Sequence, residues 1–93
     1  MSIAVHIPRG FREYCRCPET INVTADTVVA ALVQLQQEYP SLYTTVCDET
    51  GRVRPHIHLF VNSDMVPVRD VGGLETPLRP GDELTLWQAV SGG

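Results

Sequence analysis

Hydrophobic and polar residues alternate at the start of the chain. Ile3, Val5 and Ile7 fall on one face of an extended segment and Ala4 and His6 on the other, until Pro8-Arg9-Gly10 ends it. Glu19 to Thr24 repeats the alternation with Ile21 and Val23 inward, and the stretch between, around Tyr14 and Pro18, reads as a loop closing a hairpin. The period then changes. Val28, Leu32, Leu35 and Tyr39 recur at intervals of four, three and four, which places them on one stripe of a helix. Asp26 or Thr27 can cap it by accepting from free N–H groups, and Pro40 disfavours helical angles at the residue before it. The spacing predicts a helix from Val28 to Glu38, with Leu42 and Tyr43 packing under its end.

The second half returns to period two. Val46 fits a short irregular strand and Asp48-Glu49-Thr50-Gly51 a turn. From His56 to Val61, Ile57, Leu59 and Val61 face one side and His56, His58 and Phe60 the other. Asn62-Ser63-Asp64 turns the chain into an edge-like segment, Met65 to Val68, where Pro67 is tolerated because no partner needs its missing N–H. After Gly72 to Leu78, a loop with a buried leucine, and the turn Arg79-Pro80-Gly81-Asp82, a last strand begins at Glu83 with Leu84 and Leu86 inward and Thr85 and Trp87 outward. The order ββαβ(β)β is an α+β plan, a mixed sheet with one main helix on one face and the other face open.

Composition narrows the classes. Ninety-three residues with 43% hydrophobic content suit one small folded domain. No apolar run approaches the roughly 20 residues that span a bilayer, and the N-terminus lacks the regions of a signal peptide, so a cytoplasmic location and no membrane partner are expected. The net charge is −4, with basic groups scattered along the chain, which leaves no footprint for nucleic acid. All seven basic residues are arginines, so the only primary amine is the N-terminus. Cys15, Cys17 and Cys47 form an odd set, and a reducing compartment makes free thiols the expectation.

The chain ends Val90-Ser91-Gly92-Gly93. A terminal diglycine presents a carboxylate on backbone without side chains, which suits entry into a narrow channel of another enzyme. Residues 1–90 read as one domain and 91–93 as a flexible tail.

Several segments together resemble the MoaD/ThiS sulfur carrier proteins, small ubiquitin-like β-grasp domains. They are Thr27-Val28 opening the helix, Tyr39-Pro40 closing it, Phe60-Val61-Asn62, the run from Thr76 to Leu84, and Val90-Ser91-Gly92-Gly93. The resemblance implies that a ubiquitin-activating-type enzyme, consuming ATP, adenylates the Gly93 carboxylate. A sulfur donor then converts it to a thiocarboxylate, which a sulfur-accepting synthase uses. An α-carboxyl has an ordinary pKa of about 3.5, so at neutral pH it is an anion and a poor electrophile until joined to AMP. On this reading the chain is a carrier, not an enzyme, and binds no cofactor itself.

Two departures bear on the pathway. Many MoaD members have paired prolines where this chain has Gln88-Ala89, and the chain exceeds typical ThiS members near Cys15 to Pro18 and Thr44 to Pro55. The balance tilts towards molybdopterin-type or other sulfur-containing metabolites rather than thiazole.

The resemblance also implies that Phe60, Met65 and Trp87, with Val90 and the tail residues Ser91 and Gly92, meet the activating enzyme. Exposed neighbouring aromatics are typical interface anchors, although Trp87 could instead fold over its own sheet edge or cover a dimer contact. His6, His56 and His58 are expected on the open face as solvated imidazoles or a pH-sensitive contact surface. A zinc site built from them with Cys15 and Cys17 would need the face and a loop to meet, and no metal is expected. Two further functions remain open: a protein modifier joined through Gly93 to target lysines, and a ubiquitin-like interaction domain with an inert tail.

Overall fold

A computed structural model describes residues 2–88. Five strands form one sheet: β1 (Ile3–His6), β2 (Thr20–Val23), β3 (Ile57–Val61), β4 (Asp64–Met65) and β5 (Glu83–Gln88). Their order across the sheet is β2-β1-β5-β3-β4. The first and last strands lie side by side and parallel, with Val5 opposite Leu84, whereas β1 with β2, β3 with β5 and β3 with β4 are antiparallel. A parallel pair needs a crossover, and the helical layer supplies it on one face. The plan is the ubiquitin-like β-grasp.

The inner face is apolar because the period-two residues all point there. Ile3, Val5, Ile21, Val23, Ile57, Leu59, Leu84 and Leu86 are buried under α2 (Val28–Glu38), which contributes Val28, Ala31, Leu32 and Leu35. Thr27 caps α2, its Oγ1 accepting from the Ala30 N–H at 3.2 Å. The predicted bounds of this helix are those observed.

Pro40 has a second effect. It ends α2 and also opens α3 (Pro40–Val46), so that Tyr39, at φ −137° and ψ 68°, closes one helix and precedes the next. Proline's fixed φ suits a first helical turn, where its missing N–H is not required. Leu42 and Val46 of α3 are buried beneath α2. The strand expected at Val46 is therefore replaced by helix, and extended pairing there is limited to a bridge between Cys47 and Val53.

The loop expected between the first two strands is also corrected. It contains α1 (Arg9–Cys15), a short helix that starts after Pro8 and packs against α3. Its anchor is Phe11, fully buried in the common core. With seven residues and one such anchor it carries no readable period.

The cysteines depart from the free-thiol expectation. Arg16, at φ 52° and ψ 37°, takes the left-handed conformation at the end of α1 and reverses the chain. That reversal brings Cys15 and Cys17 to a Cα separation of 5.3 Å, where they are joined as a disulfide. Cys47 is free and buried, and its loss of hydration pushes the thiol up to about 11, with the Tyr43 hydrogen bond acting in the opposite sense.

Candidate partner-binding face and root of the tail

The sheet face opposite the helices is uncovered by any element among the described residues. Strand register sets its rows. Met65 on β4 pairs with Phe60 on β3, Phe60 with Thr85 on β5, Thr85 with His6 on β1, and His6 with Thr20 on β2. One step along β3 and β5, His58 stands opposite Trp87. Residues paired across strands share a face, so Phe60, Met65, Trp87 and His58 form one neighbourhood. Met65 and Trp87 are 58% and 55% exposed, too open for Trp87 to be tucked against its own sheet.

The far half of the face is polar. His6 Nε2 lies 2.6 Å from Glu83 Oε1, and its Nδ1 lies 3.4 Å from the Thr20 hydroxyl. With Nε2–H donating to the carboxylate, Nδ1 of a neutral ring is left to accept from Thr20, so one tautomer satisfies both contacts. The surface thus grades from an apolar patch on β3, β4 and β5 to a hydrogen-bonded polar patch on β1 and β2.

Two turns hold the patch in register from below. At Arg79-Pro80-Gly81-Asp82, Gly81 takes φ 90°, and the Asp82 N–H donates to the Arg79 carbonyl at 2.9 Å. Positive φ at the third turn position is the usual requirement for glycine after proline. Asn62, at φ 56°, donates from its side-chain amide to Asp82 and accepts through Oδ1 from the Glu83 N–H, both at 3.2 Å. The end of β3 is thereby tied to the start of β5.

Gln88 ends the described part of β5. Because β5 and β1 are parallel, it lies at the edge of the sheet where β1 also ends and α1 begins. An ideal Cβ on Gly10 of α1 would sit 3.7 Å from Gln88 Oε1, so α1 flanks the root of the tail. This neighbour was missed by sequence reasoning, and the one available signal was Arg9-Gly10-Phe11-Arg12 directly after a strand-breaking proline. Val90, Ser91, Gly92 and Gly93 lie outside the described residues.

The other singled-out residues disperse. His6 and His58 sit on the open face, but His56 precedes β3 in an exposed turn. Cys15 and Cys17 lie at the α1–β2 connection. Among the described residues, no three His, Cys, Asp or Glu side chains gather as a metal site. An open cleft of about 340 Å³ lined by Thr24, Ala25, Asp26, Ala30, Leu78 and Pro80 lies at the opposite end of the sheet from Gln88. Asp26 is its one charged lining residue, and its distance from Gln88 separates it from the root of the tail.

Residues 11–93 match the ThiS family. The chain belongs to that family. Among curated relatives, the sulfur carrier protein CysO of Mycobacterium tuberculosis is 28% identical over 95 residues, spanning 100% of both chains. Among solved structures, SAMP1 of Haloferax volcanii superposes with a TM-score of 0.81 at 28% identity over 100% of both chains. The BexX/CysO complex of Amycolatopsis orientalis gives 0.82 at 26% identity, covering 98% of this chain and 99% of the matched one. This ThiS-family chain is thus a member of a sulfur carrier protein family with the ubiquitin-like β-grasp fold. No helix among the described residues is long and apolar enough to cross a membrane.

Proposed function

We propose that the chain carries sulfur as a thiocarboxylate on Gly93. The observation that carries this reading is end-to-end similarity to a sulfur carrier protein in a chain whose last two residues are glycine. A ubiquitin-activating-type enzyme would join the Gly93 carboxylate to AMP, releasing pyrophosphate. Sulfur from a donor then attacks the acyl carbon, AMP departs, and the thiocarboxylate supplies sulfur to a synthase making molybdopterin or another sulfur-containing metabolite. The protein contributes the reacting atom and the docking surface, Phe60, Met65 and Trp87 with Val90, while the partner contributes catalysis. The A. orientalis CysO was solved in complex with BexX, which supports a carrier that works by docking.

Incubation with ATP, an activating enzyme and a sulfur source is expected to add the mass difference of one oxygen replaced by sulfur, located by fragmentation at Gly93. Deleting Gly93 abolishes the product, and so does a β-branched residue at Gly92, which would obstruct a channel shaped for bare backbone. Sulfur found instead as a cysteine persulfide, with Gly93 still a carboxylate, overturns the mechanism.

A second reading has its own support. The likeness to SAMP1, a small archaeal modifier protein, favours conjugation of Gly93 to target lysines. Target-linked forms that vanish when Gly93 is deleted would establish it. Full function after removal of Gly92 and Gly93 would instead leave an interaction domain with an inert tail.

A further inference from the structure

Three of the seven arginines, Arg9, Arg12 and Arg16, fall within eight residues around the Cys15–Cys17 disulfide. We propose that this disulfide, at the end of α1 away from Gln88, is a thiol–disulfide exchange site for anionic thiols.

A disulfide stabilises chiefly by closing a loop in the unfolded chain, and the effect shrinks with the loop. Cys15 and Cys17 are two residues apart, so the bond constrains almost nothing that the chain does not already constrain. Its value as a staple is small. Access to the two sulfurs is unequal: Cys17 is buried in the core, whereas Cys15 is only partly covered. An incoming thiolate therefore meets Cys15 first. The reduced state is accommodated as well, since Cys15 Sγ lies 2.9 Å from the Phe11 carbonyl oxygen, an acceptor for the S–H once it forms.

The charge points to the class of reactant. Residues 9–16 carry three arginines and one glutamate in a chain of net charge −4. Positive charge attracts an anionic thiolate and stabilises the thiolate that leaves, in opposition to the C-terminal dipole of a short helix. In the exchange, the reductant's sulfur bonds to Cys15 Sγ, the Cys15–Cys17 bond breaks, and its electron pair leaves on Cys17 Sγ, which takes a proton. A second thiol of the reductant then attacks its own sulfur in the mixed disulfide and frees Cys15. The reductant supplies two electrons and two protons and departs as a disulfide.

The consequence is local. The bonded pair ties the last turn of α1 to the entry of β2, and the same helix sets Gly10 against Gln88. Opening the bond alters the turn at Arg16, while Phe11 keeps α1 in the core.

The test uses the full chain. Intact protein is equilibrated with mixtures of oxidised and reduced dithiothreitol, alkylated, and mapped by mass. The expected result is reversible labelling of Cys15, with the more buried Cys17 following more slowly, Cys47 unlabelled and the fold retained by circular dichroism. Failure of the pair to bond under oxidising conditions overturns the proposal. So does reduction that labels Cys47 at the same time, because the bond would then be opening only with the fold. Rates with glutathione and with uncharged 2-mercaptoethanol give a second readout. Arg16→Asn keeps a residue that tolerates the left-handed conformation and removes one charge, and it is expected to lower the glutathione-to-mercaptoethanol rate ratio several-fold. An unchanged ratio removes the preference for anionic thiols.

Discussion

Trp87 of β5 stands directly across from His58 of β3, and the next position along β3 on that face is Phe60, itself paired with Met65. An exposed aromatic flanked in this way presents a ready anchor for a partner, because large aromatics bury much area for little lost side-chain freedom. Trp87→Ala is expected to weaken binding to the activating partner by about 2 kcal/mol or more while leaving the fold unchanged. Titration calorimetry on the purified pair measures it. Unaltered affinity in a folded variant would take Trp87 out of the contact.

Leu35 of α2 is fully buried under the sheet. Leu35→Ala loses the transfer free energy of the missing methyl groups and leaves a cavity. Destabilisation of about 2–5 kcal/mol is expected in chemical denaturation. A loss well below that range would mean that the helix can settle into the space.

Gly73 has a different constraint. A Cβ there would collide with the Pro67 carbonyl oxygen, a backbone atom that cannot swing aside. Gly73→Ala must displace the Pro67–Val68 peptide, two residues beyond β4 and Met65. We expect a cost of about 1–3 kcal/mol, together with chemical-shift changes at Met65. A variant as stable as the parent would show that this segment moves freely.

Asp82 supplies a pH dependence with a definite sign. The Arg79 N–H donates to its carboxylate, with Asn62 adding a second hydrogen bond, and these hold its pKa below the ordinary carboxylate value. A lowered folded value means that the contribution is present above the unfolded pKa of about 3.9 and is lost as pH falls through the folded value. The difference in melting temperature between the parent and Asp82→Asn is therefore expected to be full at neutral pH and to shrink below about pH 4. A difference independent of pH would remove the charge from the argument.

The one-sided alternation of Ile3-Val5-Ile7 and Leu84-Leu86, and the helical stripe of Val28, Leu32 and Leu35, carried the core without a structure, because each side chain's direction follows from the local repeat. Thr27 and Pro40 marked the ends of α2 for the same reason: a cap and a missing N–H act on neighbouring residues only. The outward positions of Phe60 and Trp87 were legible as well. Their adjacency was not, because it depends on β5 inserting between β1 and β3.

The sequence by itself determined the residues that face inward and the extent of the main helix. Tertiary structure decided what depends on partners distant in the chain or on single backbone angles. Phe11 makes α1 a helix because a pocket exists to receive it. Pro40 starts α3 because Leu42 and Val46 find cover beneath α2. Cys15 and Cys17 meet because Arg16 turns left-handed, a choice worth about 1–2 kcal/mol that no periodicity records. Gly10 reaches Gln88 because parallel pairing brings the ends of β1 and β5 to the same edge. Local repeats encode direction, whereas proximity is encoded only in the packing that closes the sheet.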